Sequence, residues 1–126
     1  GGVIYPESHY GRDALVGVGL FLSHFVAEGK SMTALKATYP QYFISKNKLT
    51  LSPDMDVDKI LEGLKKKYAS EEITDIDGVK IDFKDGWVHL RKSNTEPIIR
   101  IYSESKDEAA ANQLAEEVIK VAQSLY

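Results

Sequence analysis

Cysteine is absent from the sequence, which excludes a disulfide framework, a thiolate nucleophile and a cysteine-based zinc site. The absence fits a reducing compartment, and a cytoplasmic location is the expectation. An excess of positive charge is also lacking: 16 Lys and Arg against 19 Asp and Glu leave a net charge of −3. That balance gives no electrostatic case for nucleic acid or for an anionic membrane surface as partner. Long apolar runs are missing too. The longest, Ala14 to Leu22, is broken by Gly17 and Gly19 and falls far short of the roughly 20 residues of a membrane span. No charged-then-apolar leader opens the chain. What remains is an ordinary globular composition, 126 residues with 43% hydrophobic and 28% charged. It suits one domain, or one small domain with part of another.

The opening Gly1-Gly2-Val3-Ile4-Tyr5 reads as a loop entering a strand, and the expectation is a piece of a longer protein. Asp13 to Glu28 reads as a helix with Gly29 as its stop. Its apolar residues, among them Leu15, Val18, Phe21, Leu22 and Val26, run nearly all the way round. Such a helix is normally buried between layers, and the elements that follow are too few to cover it. The first part is therefore expected to be the tail of a domain whose apolar surface seeks a partner, a second copy included. Ser31 can cap a short helix ending before Pro40. Tyr42 to Leu51 reads as one or two strands with a polar turn near Lys46-Asn47-Lys48. The linker is expected at 53–55.

From Asp56 the pattern is cleaner. Val57, Ile60, Leu61, Leu64 and Tyr68 recur at helical spacing. A strand is expected around Ile73 to Ile76, with a turn at Asp77-Gly78. Val79, Ile81 and Phe83 alternate as in a half-buried strand, as do Val88 and Leu90. Asp85-Gly86 between them predicts a two-residue hairpin turn with positive φ at both positions, so that Phe83 faces Val88 and Ile81 faces Leu90. Ile98 to Ser103 is a further strand. Ser105 and Glu108 predict a capping box opening a last helix, with a core stripe of Ala110, Leu114, Val118, Val121 and Leu125. The class is α+β: a helix, about four antiparallel strands and a helix, with both helices on one face of the sheet.

Chemistry concentrates in Lys92-Ser93-Asn94-Thr95-Glu96-Pro97, flanked by Arg91 and Arg100. If the two strands pair, both arginines fall at the mouth of this loop. Guanidinium groups present planar donor forks that match phosphate oxygens and stay charged at any working pH. Ser93, Asn94 and Thr95 add hydroxyl, amide and backbone N–H donors, and Pro97 stiffens the exit. Charge-assisted bonds are worth roughly 1.5–3 kcal/mol each, so this set suffices for phosphate capture. By composition alone, a polar turn with two arginines solvated on a sheet surface is the reading the residues favour, since polar loops are common.

The whole string Arg-x-Ser-Asn-Thr-Glu-Pro-x-x-Arg resembles the phosphate-binding loop in the C-terminal domain of the α-D-phosphohexomutases. This family comprises phosphomannomutases, phosphoglucomutases and phosphoglucosamine mutases. Gly1-Gly2-Val3-Ile4-Tyr5-Pro6 resembles the sugar-binding loop of the family's third domain, and His9 to Ala14 the segment leading into that domain's last long helix. The resemblance implies that residues 1–52 end an α/β third domain, 53–55 link, and 56–126 form the small fourth domain, which is TATA-box-binding-protein-like. It implies an enzyme interconverting hexose 1-phosphate and 6-phosphate through a hexose bisphosphate. The phosphoserine and the aspartates holding Mg2+ would lie on domains outside this chain, which alone would be inactive. Arg91, Ser93, Asn94, Thr95 and Arg100 match the positions that grip the non-transferring phosphate, and Arg12 a position that carries a basic residue near the substrate; His9 is a further candidate for substrate contact. The implied partners are a hexose phosphate and the enzyme's own N-terminal domains. The rivals are a stand-alone phospho-ligand module and a protein-interaction domain.

Other residues have plainer readings. Asp54, Asp56 and Asp58 imitate a magnesium loop, but they open a helix, where capping explains them. Arg12 can equally be a surface residue pairing with Glu7 or Asp13, and His9 a surface or packing residue. His24 reads as structural, and His89 as support beside the loop, on the sheet face away from the core. Lys65-Lys66-Lys67 reads as the wet side of a helix. Ser93 has no base at a defined spacing and is not a nucleophile.

Overall fold

The structure, a computed structural model, describes residues 2–125; Gly1 of the opening motif lies outside the described residues. It divides into two compact units, 1–40 and 41–126. The division falls ahead of the expected linker at 53–55 because Phe43–Thr50 (β1) is a single continuous strand. It pairs antiparallel with Ile98–Ser105 (β5) over its whole length, from Phe43 opposite Ser105 to Thr50 opposite Ile98. The expected polar turn at Lys46-Asn47-Lys48 does not form: Lys46 and Lys48 lie on one face of β1, and Ser45, Asn47 and Leu49 on the other.

In the first unit the opening residues form no strand. Tyr5 and His9 make an isolated bridge around a tight turn, and Asp13 N–H donates to the Val3 carbonyl. The Asp13 carboxylate caps Ala14–Glu28 (α1), accepting from Leu15 and Val16 N–H at 2.8 and 3.0 Å. Gly29 ends it in the left-handed conformation. As expected, α1 is apolar all round, and none of its residues is buried; Leu15 is 83% and Val26 77% exposed. Met32–Lys36 (α2), capped by Ser31, buries Leu35.

The second unit is a five-stranded antiparallel sheet in the order β1-β5-β4-β3-β2, where β2 is Glu72–Thr74, β3 Val79–Phe83 and β4 Gly86–Lys92. Val57–Lys67 (α3) and Glu108–Gln123 (α4) share one core with one face of that sheet. There Ile60, Leu64, Val118 and Ala122 meet Val88, Leu90, Ile99 and Ile101. Asp56 caps α3, as its position predicts.

Three local expectations shift. The β3–β4 hairpin turns on Lys84-Asp85, with Phe83 opposite Gly86 and Ile81 opposite Val88. Gly86 is not at positive φ. It is needed because a Cβ there would meet the Glu104 carbonyl oxygen at 2.3 Å. The register moves by two, so every side chain keeps its face. Ser105 belongs to β5 and donates its hydroxyl to the Asp85 carbonyl, while Asp107 caps α4. The fully buried residues of α4 are Ala111, Ala115, Val118 and Ala122. Of the expected stripe, Val118 is among them and Leu114 and Val121 pack partly buried against the core, while Ala111, Ala115 and Ala122 take the centre because alanines let the helix lie close on the sheet.

Candidate anion site on the open sheet face

The sheet face away from the helices carries β-strand side chains of matching parity. Arg91 stands directly opposite Arg100 across β4 and β5, and Lys48 opposite Arg100 across β1 and β5. The next row is Lys46, Tyr102, His89 and Lys80. Like charges directly opposed in a sheet repel, so this arrangement has a cost unless negative charge sits among the cations.

The loop between β4 and β5 rises at the end of the arginine row. Ser93 N–H donates to the Ile98 carbonyl at 3.0 Å and Ile98 N–H to the Glu96 carbonyl at 2.8 Å. Leu51 N–H, just past β1, donates to the Pro97 carbonyl at 2.9 Å and ties down the exit. The Ser93 N–H is therefore spent internally and is not the ligand donor expected of it. Among the described residues, the side chains of Ser93, Asn94 and Thr95 and the backbone N–H groups of Asn94 and Thr95 have no intramolecular acceptor. These groups and Arg91, Arg100, His89 and Tyr102 line one cavity of about 370 Å³.

Residues 47–121 match the family model for the phosphoglucomutase/phosphomannomutase C-terminal domain. The chain belongs to this family. It is 40% identical over 123 residues to a phosphoglucosamine/phosphogalactosamine mutase of Sulfurisphaera tokodaii, covering 96% of this chain and 27% of the relative. It is equally 40% identical over 123 residues to a phosphoglucomutase/phosphomannomutase of Thermococcus kodakarensis, covering 96% and 26%. Among solved structures, a phosphoglucomutase/phosphomannomutase family protein from Burkholderia thailandensis superposes with a TM-score of 0.67 at 25% identity. That match covers 98% of this chain and 27% of that one. The chain thus spans about a quarter of the length of these mutases. The α+β class read from the hydrophobic pattern and the kinship with phosphohexomutases read from the loop string both stand.

The structure gathers five of the sequence-predicted site residues, Arg91, Ser93, Asn94, Thr95 and Arg100, around one cavity. Arg12 and His9 belong to the other unit. His9 is occupied there: its Nδ1 accepts from Gly11 N–H and its Nε2 donates to the Asp13 carboxylate, both at 3.0 Å. The capped backbone N–H of Val16 and then the His9 bond hold the Asp13 carboxyl below its ordinary value. Arg12 pairs with neither Glu7 nor Asp13; it lines a hollow with Gly2, Val3 and Gly17. Sequence reading missed Lys46, Lys48 and Tyr102. The signal for the first two was their spacing of two, which matches Arg100 and Tyr102 once β1 is a single strand. Lys46 sits 5.8 Å from the Tyr102 ring centroid.

Among the described residues no group of three or more His, Asp or Glu side chains is placed to hold a metal ion. The residues present do not fit the Mg2+ that the family resemblance implies, and no step here runs through it. No helix among the described residues is long and apolar enough to cross a membrane.

Proposed function

We propose that this chain is the C-terminal part of a phosphohexomutase and that its β4–β5 loop grips the phosphate not being transferred. The observation that carries this reading is the facing pair Arg91 and Arg100 at the mouth of a loop where the Ser93, Asn94 and Thr95 side chains and the Asn94 and Thr95 N–H groups have no internal partner among the described residues. Two guanidinium forks and the Ser93, Asn94 and Thr95 donors match a phosphoryl group in charge and in acceptor number. A grip made on the anion, with no contact to sugar hydroxyls, accepts a 1-phosphate and a 6-phosphate alike. That property serves an enzyme whose bisphosphate intermediate must turn over between two half-reactions.

The role is positioning, which converts binding energy into alignment for in-line transfer elsewhere. Bond making belongs to the parts of the enzyme outside this chain, with Mg2+ bound there, and the chain alone is inactive in this account. Residues 1–40 would then end the sugar-binding domain, with Arg12 near the substrate. The bare apolar surface of α1 would be covered by the rest of that domain, or by self-association when the piece is alone. A cytoplasmic setting agrees with the missing cysteines.

Calorimetric titration with glucose 6-phosphate and mannose 1-phosphate tests the grip. Weak binding by the wild-type chain and none by Arg91→Ala is the expected result. Equal binding by both would remove the loop from the account and favour a module whose arginines are incidental.

A further inference from the structure

Both arginines of the site are already paired with a carboxylate. Arg91 Nη1 lies 3.1 Å from Asp77 Oδ2, and Arg100 Nη2 3.2 Å from Glu96 Oε2. The carboxylates come from different segments. Asp77 sits in the turn between β2 and β3, and Glu96 in the loop between β4 and β5.

The placement of Asp77 is built. Its carbonyl oxygen accepts from His89 Nε2 at 2.7 Å; facing an oxygen, that nitrogen carries the proton. Gly78 beside it holds a φ of 77° against the Leu90 carbonyl, a place where a Cβ would come within 2.1 Å. His89 and Gly78 together fix the Asp77 backbone beside Arg91. Abundant nearby carboxylates do not explain the pairing, because Lys46 and Lys48 on the same face have no carboxylate partner among the described residues.

A carboxylate beside a guanidinium offers the same two-oxygen edge that a phosphoryl group offers. We infer that Asp77 and Glu96 are internal stand-ins for the ligand phosphate. They hold the facing guanidinium groups in place while the site is empty and give them up when a dianion arrives. The inference rests on the phosphate reading above and adds to it a competing pair of groups. Each ion pair is half-exposed, so displacing it costs little, whereas without any anion the opposed arginines would repel. The arrangement also selects among ligands: a dianionic phosphoryl group outcompetes an internal carboxylate more readily than a monoanionic carboxylate ligand does.

The test is a titration with inorganic phosphate, followed on the side-chain Nε–H resonances of Arg91 and Arg100. It compares the wild-type chain with Asp77→Asn, Glu96→Gln and Arg91→Ala. Both carboxamide variants remove a charge from an exposed side chain on separate loops, and far-ultraviolet circular dichroism checks their fold. The expected result is a Kd lowered roughly two- to fivefold in each carboxamide variant and binding lost in Arg91→Ala. An unchanged or raised Kd in Asp77→Asn and Glu96→Gln, with wild-type binding intact, overturns the stand-in role and leaves the phosphate grip standing. No binding by the wild-type chain or either carboxamide variant overturns both.

Discussion

Arg91 and Arg100 are direct cross-strand partners on β4 and β5, two fixed positive charges facing each other on the open side of a sheet. Such a pair is a local cost to folding that negative charge relieves, the half-exposed Asp77 and Glu96 carboxylates in part and a bound dianion more fully. Phosphate should therefore stabilise the chain. At a concentration about 100 times the Kd, linkage gives about 2.7 kcal/mol, visible as a raised Tm. The Arg91→Ala/Arg100→Ala double variant should show no such rise. A phosphate-induced rise of equal size in the double variant would assign the effect to another surface.

The same pair governs turnover in the intact enzyme. Arg91→Ala or Arg100→Ala should each lower kcat/KM on a hexose phosphate by on the order of 10-fold or more, from one lost charged contact. Steady-state kinetics of the full-length variants measures this, and an unchanged kcat/KM would contradict the assigned role.

Much of this site was legible in the sequence because its parts are local. The loop string and its flanking arginines lie within ten positions, Arg91 to Arg100, and alternation alone fixes which face each residue takes. What was hidden depends on distant pairing. Lys46 and Lys48 looked like a polar turn, since β1 acquires its identity only from β5, over fifty residues later. Asp77 and Glu96 looked like turn residues, and nothing local says that each meets a guanidinium. The Asp85-Gly86 dipeptide misled for a related reason: Gly86 answers to the approaching Glu104 carbonyl on β5, not to its own turn. Likewise Ser105 resembled a cap because its bond to the Asp85 carbonyl spans twenty residues.

Gly78 joins stability to function. Its φ of 77° is strained for any residue with a Cβ, and that Cβ would also lie 3.0 Å from the Arg91 Cα. Gly78→Ala should destabilise the chain by about 1–3 kcal/mol and weaken phosphate binding in parallel. Chemical denaturation together with the phosphate titration checks both. Loss of stability with full phosphate affinity would show that this turn does not position Arg91.

Acid should act through Asp85. The hydrogen bond and charge of Lys106 hold the Asp85 carboxyl below its ordinary 3.8, and Asp85 in turn raises Lys106 above 10.5. For the depressed acid, the stabilisation is present above 3.8 and is lost as pH falls through the lowered folded value. For the raised base, it is present below 10.5 and is lost as pH climbs through the raised folded value. Thermal melts should therefore show wild type ahead of Asp85→Asn near neutrality and level with it in strong acid. A gap of constant size down through that range would rule out the ion pair as its source.

The most direct measurement of the central claim is a crystal structure of the chain soaked with glucose 1-phosphate. The account predicts phosphoryl oxygens within hydrogen-bonding distance of Arg91 and Arg100, with Ser93, Asn94 or Thr95 completing the contacts. A ligand bound elsewhere, or absent while the arginines remain paired with Asp77 and Glu96, would contradict it.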